Sequence, residues 1–304
     1  MEKNSILMIM PYFGNLPKWF DLYLYSCTKN SFLDFLFITD CRDINIPPCN
    51  NIKVVFETFD EYCQKVSNRL NINFSPKSAY KICDLRPFFA IIHEDSIKDY
   101  KFWGYGDIDV VYGNLRLLLT PHRLKKYDVI SSHSDRLAGH FTVIRKDSKY
   151  SRVCYKIKDW EKHLESDKGM GLDEHDFTAL VYPFQKIIWS LYRRIGRHIG
   201  IEYYNFFDCF NLIPCAFSKF YMKEFLTSVI PKDGEIWQYK TVDGNIINPQ
   251  NKELPYLHFL FFKKTPFYDA KHYWGEDFWQ IADNRFCDAV DRTIYFTNLK
   301  VYEK

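Results

Sequence analysis

The sequence has no C-x-x-C pair, no apolar run approaching eighteen residues and no large excess of charge of one sign. Nine cysteines (27, 41, 49, 63, 83, 154, 209, 215 and 287), odd in number and without that pair, argue against both a zinc ribbon and a disulfide framework, so a reducing compartment is expected. With no long apolar run, nothing is expected to span a membrane. Lys and Arg number 41 against 38 Asp and Glu, a net charge of +3. That balance gives no general field for nucleic acid, and an anionic ligand must be held by a local cluster of donors. The first fifteen residues, MEKNSILMIMPYFGN, carry a short apolar run and no small-residue cleavage site, and read as a first strand rather than a signal peptide. No repeat, low-complexity tract, linker or glycine-rich phosphate loop stands out. These absences leave one elaborated domain over residues 1–304, cytoplasmic or held peripherally at the inner face of a membrane.

What the chain does have is a hydrophobic content of 47% and 27 Phe, 22 Tyr and 7 Trp. That is enough for a large core and for aromatic surfaces able to stack on planar or sugar rings. Ile6–Met10 is a doubly buried strand pattern that stops at Pro11-Tyr12-Phe13-Gly14. Residues 17–30 place Trp19, Leu22, Tyr23 and Ser26 at helical spacing, and runs at 35–38 and 52–56 read as further strands. Strand and helix are therefore expected to alternate through the first sixty residues of an α/β fold, with parallel strands. Further strands are expected at 129–130 and 141–144, joined by a polar loop holding His133, Asp135, Gly139 and His140. An amphipathic helix is expected over 149–168, and a basic amphipathic stretch over 184–200. In the latter, Ile187, Ile188, Leu191, Tyr192 and Ile195 form an apolar stripe beside Lys186, Arg193, Arg194, Arg197 and His198. It reads as a packed surface helix, an anchor to anionic lipid or a partner helix.

Asp107-Ile108-Asp109 carries the sharpest chemistry. Residues i and i+2 of an extended segment point to one face, so both carboxylates can reach one cation, and hard oxygen ligands suit magnesium or manganese. The same spacing also occurs in solvated turns. His258 sits in an apolar run, Tyr256-Leu-His-Phe-Leu-Phe-Phe-Lys263, a setting typical of a satisfied core histidine. Asp173-Glu174-His175-Asp176 follows Gly171 at an expected helix start, where acidic residues are favoured by the helix dipole.

Phe102-Trp-Gly-Tyr-Gly-Asp-Ile-Asp109, together with the first-strand loop, Ile38-Thr-Asp40 and Lys81-x-x-Asp84-Leu-Arg86-Pro87, resembles the metal-dependent nucleotide-sugar glycosyltransferases of the GT-A fold. The likeness is strongest over residues 5–180 and narrows to transferases of bacterial capsule and lipopolysaccharide synthesis. It implies a GT-A, Rossmann-like mixed sheet flanked by helices, with helical additions in the C-terminal half. Residues 1–115 would bind the nucleotide sugar and 116–304 the acceptor. By the same resemblance Asp107, Asp109 and His258 would hold Mn2+ or Mg2+. Tyr12 and Phe13 would line the base pocket, Asp40 or Asp84 would bond uracil or ribose, and Lys81, Arg86 and Lys263 would contact phosphate. Glu174, or failing it Asp173, would be the catalytic base of an inverting transfer. Gly139, His140, His175 and Trp103 would contact sugar, with Tyr105, Trp237 and Trp274 as other candidate platforms. The expected activity is hexosyl transfer, with UDP-galactose the expected donor, onto a glycan or a polyprenyl-diphosphate-linked oligosaccharide. A nucleotidyltransferase or phosphohydrolase, or an inactive sugar-binding module, are the alternatives.

Overall fold

The computed structural model describes residues 5–264, 273–287 and 290–303. Strand β1 (Ile6–Pro11), helix α1 (Phe20–Thr28), strand β2 (Asp34–Thr39) and strand β3 (Ile52–Phe56) open the fold. Period-two alternation in β1 and β2 feeds two cores at once. Met8, Met10, Phe35 and Phe37 pack with Tyr23 and Leu24 of α1 on one face. Leu7, Ile9, Leu36 and Ile38 pack on the other against helix α2 (Phe59–Leu70). That helix starts at a capping box between Thr58 and Glu61 and stops at Asn71 in the left-handed conformation. The expected strict alternation fails between β2 and β3. Residues 40–51 contain Pro47-Pro48 and cross over without a helix, because proline removes the donors a helix needs.

Residues 79–88 wind as a tight 3-10 helix with Pro87 inside it, and continue into two short helices, α3 (Phe89–Ile92) and α4 (Glu94–Ile97). Strands β4 (Phe102–Gly106) and β5 (Val110–Tyr112), helix α5 (Pro121–Lys126), and strands β6 (Val129–Ser131) and β7 (Phe141–Arg145) follow. The single helix expected over 149–168 is absent. Two 3-10 turns (149–151 and 153–156) precede helix α6 (Trp160–Glu165), with Asp159 left-handed between them. Ser148 and Ser151 donate to the Arg145 carbonyl and draw the chain into turns. The buried Tyr150, Cys154, Ile157 and Leu164 nonetheless keep a helix-like spacing.

Helices α7 (Asp176–Val181), α8 (Gln185–Leu191) and α9 (Tyr203–Phe217) lead into strand β8 (Phe220–Met222). The main sheet runs β3-β2-β1-β4-β7-β6-β8. Its first four strands are parallel and β7 is antiparallel to both neighbours, so the sheet is mixed.

Besides the helical additions expected, the C-terminal part carries strands. Strands β9 (Trp237–Lys240), β10 (Asn245–Ile247) and β11 (Glu253–Leu254) come first, then β12 (Tyr256–His258), which pairs antiparallel with β5. With β13 (Trp279–Gln280), β14 (Thr293–Phe296) and β15 (Val301–Glu303) they build a second, six-stranded sheet ordered β11-β10-β9-β14-β15-β13. Its core of Trp237, Phe259, Phe262, Trp274 and Phe296 packs on Leu22 and Tyr25 of α1. Much of the aromatic content is thus structural. No helix among the described residues is long and apolar enough to cross a membrane.

Candidate metal and donor site

In the parallel part of the sheet the chain runs from β1 outward to β2 and β3 on one side and later returns to β4 on the other. Strand order reverses at the carboxyl ends of β1 and β4, the place where open α/β sheets hold their ligand crevice. The loop at Tyr12–Gly14 leaves the first of these ends and Asp107 the second. Gly106 closes β4 where a Cβ would lie 2.9 Å from both the Met10 methyl and the Tyr112 hydroxyl, so only glycine lets the strand end this deep in the sheet.

The turn carrying the two aspartates is fixed by its backbone. Asp107 N–H donates to the His140 carbonyl at 3.4 Å, Trp19 Nε1 donates to the Ile108 carbonyl at 2.8 Å, and Phe259 N–H donates to the Asp109 carbonyl at 2.8 Å. Register in the β5–β12 pair sets His258 opposite Val110 and so beside Asp109. His258 Nδ1 is 2.7 Å from Ser228 Oγ, and a proton directed there leaves the Nε2 lone pair free; Nε2 lies 3.4 Å from Asp109 Oδ1. Asp107, Asp109 and His258 each present a ligand atom, all within 4.8 Å of one another. Asp109 Oδ1 is buried without a hydrogen bond. Two carboxylates, one of them with an orphaned buried oxygen, and an imidazole fit a divalent cation, with manganese accommodating the nitrogen better than magnesium. Burial alone would raise the Asp109 carboxyl, but with no cation bound a protonated His258 and Lys263, whose ammonium pairs with Asp109, hold it well below the ordinary range.

Arg86 crosses from this trio to the acidic loop. Its guanidinium donates to Asp107 Oδ1 and, at 2.7 Å, to Asp173 Oδ2. Asp173 is pushed up to about 6 by burial and by its neighbours Glu174 and Asp107, against the pull of Arg86. Burial and Asp109 likewise raise Asp107. Glu174 is the more accessible of the acidic pair, its side chain one-third exposed. It accepts from Gly139 N–H at 3.1 Å and pairs with Arg136 Nε at 3.3 Å. Burial opposes its ionisation, but Arg136 and that N–H lower it. A Cβ on Gly139 would come within 2.6 Å of Arg86 Nη1 and 2.9 Å of Asp173 Oδ2, so this glycine is the floor on which the cluster rests.

Several residues assigned to ligand contacts serve the scaffold instead. Lys81 is buried, donating to the His163 and Lys168 carbonyls at 2.6 Å each, with Asp84 3.0 Å away. Asp84 accepts from Met170 and Leu172 N–H at 2.9 and 3.0 Å. Neither reaches the crevice: together they moor the loop that presents Asp173 and Glu174. Arg86 is occupied by two carboxylates rather than held free for phosphate. Phe13 turns into the core against Phe59 and Tyr62, and Trp103 is fully buried with Nε1 on Ser151 Oγ, so neither offers a face to a base or a sugar. Tyr105, Trp237 and Trp274 are likewise buried.

Tyr12 stays half-buried at the crevice, its phenol raised by burial and by Cys41, Asp109 and Asp40. Asp40 accepts from Gly14 N–H at 3.0 Å and so shapes the first-strand loop. His140 is buried and stacks on the His258 ring at 4.1 Å, its charged form disfavoured by burial and by His258. His175 is exposed at the start of α7, its N–H bonded to the Gly171 carbonyl. Arg136 and Ser228 were not anticipated. Arg136 lies in the polar loop already singled out, whereas nothing in the sequence around Ser228 marks it as the partner of a distant histidine.

A family model described as "Family of unknown function (DUF6625)" matches residues 8–289. The chain belongs to this family. No curated protein matches it in sequence. Solved structures similar to parts of it include the following two. Mouse xyloside xylosyltransferase 1, in its apo form, has 13% identity and a TM-score of 0.33, over 60% of this chain and 82% of its own. The galactosyltransferase LgtC, in complex with donor and acceptor sugar analogues, has 11% identity and a TM-score of 0.27, over 55% of this chain and 70% of its own.

Proposed function

We propose that this protein is a metal-dependent glycosyltransferase of the GT-A type that moves a hexose from a nucleotide diphosphate sugar onto a glycan hydroxyl. One observation carries the reading: a cation-ready trio, the partly exposed Asp107 and Asp109 with the buried His258, is tied through Arg86 to a second pair of carboxylates, Asp173 and Glu174, at the switch point of a mixed α/β sheet. Residues 1–115 supply most of the donor side and 116–304 the acceptor side, in one domain. Asp107, Asp109 and His258 would hold Mn2+ or Mg2+, which when bound neutralises charge developing on the leaving diphosphate. Lys263 stands beside Asp109 with its side chain one-third exposed and adds a positive charge for the same diphosphate. Tyr12 offers its ring to the base.

Glu174 is the general base of an inverting transfer, and Asp173 the second choice. Glu174 is ionised at neutral pH, reaches solvent and is oriented by Arg136 and the Gly139 N–H, so it can take the proton of an acceptor hydroxyl. Asp173, bonded to Arg86 and buried, holds the loop in place. The donor is UDP-galactose and the acceptor a glycan or polyprenyl-diphosphate-linked oligosaccharide of a bacterial surface polysaccharide; both follow from the sequence resemblance. The test is nucleotide release from a panel of nucleotide sugars, with manganese and with chelator. Release with a UDP-hexose that needs metal and acceptor, and is lost in Asp109→Asn and in Glu174→Gln, supports the reading. Turnover without acceptor would mean a phosphohydrolase, and none with any donor a binding module.

A further inference from the structure

We propose that the surface formed by residues 184–201 docks on an anionic lipid bilayer. Between Asp176 and Glu202 the chain has no acidic residue, while Lys186, Arg193, Arg194 and Arg197 fall in that interval. None of these four cations is paired with a carboxylate among the described residues. Ile188 is buried and Leu191 and Tyr192 pack partly buried on the core, but Ile187 and Ile195 of the same apolar stripe turn outward. Phe184, Ile187, Trp189, Ile195 and Ile199 are 46–61% exposed. A π-helical turn at Tyr192–Gly196 extends the helix and rotates its following residues. The Arg193 guanidinium lies 4.8 Å from the centre of the Trp189 ring, so one aromatic and one cation share the same patch.

Exposed aliphatic side chains and a tryptophan beside arginines with no carboxylate partner among the described residues, on a segment that carries no acidic side chain of its own, complement the chemistry of an anionic lipid surface. The surface is joined to the acidic loop at both ends. Helix α7 begins two residues after Glu174, and at the other end the Tyr203 hydroxyl donates to Asp135 at 3.1 Å, which in turn pairs with Arg136, the partner of Glu174. Docking is therefore linked through Asp135 and Arg136 to the loop that carries Glu174. That it presents a lipid-borne acceptor rests on the proposed function; the binding itself does not.

The test is co-sedimentation of the full chain, without substrates, with vesicles of phosphatidylglycerol and phosphatidylcholine and with phosphatidylcholine alone. Binding to the anionic vesicles only, weakening with salt, is expected. Each basic residue contributes about fivefold to partitioning, so the Arg193→Gln, Arg194→Gln, Arg197→Gln variant loses on the order of a hundredfold. A Trp189→Ser, Ile195→Ser variant, removing apolar contact with every charge retained, also loses binding while its melting temperature stays at the wild-type value. Absent sedimentation, unchanged binding of both variants, or a dimer that the second variant converts to monomer overturns the proposal. Vesicle binding without nucleotide release would refute the transferase alone, and release without vesicle binding would refute the docking surface alone.

Discussion

Arg86→Met separates two accounts of the Lys81–Pro87 segment. If Arg86 served a bound phosphate, its loss would weaken nucleotide binding and leave the fold nearly as stable as before. In the structure its side chain is 9% exposed and bridges Asp107 to Asp173, itself 5% exposed. Removing the guanidinium strips the buried Asp173 of its counter-charge and leaves Asp107 with only the pull of Lys263 and His258. Breaking a buried ion pair in this way costs about 3–5 kcal/mol, and the partial exposure of Asp107 places the expected loss near ~3 kcal/mol. The loss is greater at pH 8 than at pH 5, because Asp173, already pushed up to about 6, escapes by taking a proton at the lower pH. Urea unfolding at both pH values reads it directly. Arg86→Met combined with Asp173→Asn recovers part of the loss, a coupling that a double-mutant cycle isolates. A stability change below about 0.5 kcal/mol, the range of an ordinary surface substitution, accompanied by weakened nucleotide binding would refute the bridging role.

Two further outcomes follow from the same cluster. Gly139→Ala drives a methyl into Arg86 and Asp173 and costs about 1–3 kcal/mol of stability by overpacking, with loss of transferase activity as Glu174 loses its backbone donor geometry; thermal unfolding and nucleotide release check both. Because the Asp173 pKa is raised on folding, its contribution to stability is full below its unfolded value of 3.8 and declines as pH rises toward about 6, by roughly 3 kcal/mol at most. Asp173→Asn removes that decline, so the difference between the two stability–pH curves isolates it between pH 4 and 6.

The parallel half of the sheet was legible because β1, β2 and β4 are buried on both faces and end at turn residues, a pattern that needs no partner to be recognised. Of the three residues now grouped as a candidate cation site, Asp107 and Asp109 could be singled out by their chemistry, and His258 only through the family resemblance. What brings His258 to Asp109 is the β5–β12 pairing, and three-residue strands carry too little pattern to be paired by eye. The Lys81, Asp84 and Arg86 charges look like ligand contacts when read locally. Their partners are the His163 and Lys168 carbonyls, the Met170 and Leu172 amides, and Asp173, far along the chain. The second sheet escaped for the same reason as β12: its strands have two to four residues each. Trp103 shows the opposite error, since an aromatic beside a glycine-rich strand end looks available, whereas its indole N–H is already bonded inside the core.

The most direct test of the central claim is titration of the purified protein with manganese and UDP, together and separately, by calorimetry. The account predicts that manganese and UDP bind cooperatively, that chelator abolishes UDP binding, and that Asp109→Asn and His258→Ala each lose the metal while remaining folded by circular dichroism. UDP binding of equal strength in chelator and in Asp109→Asn would contradict it.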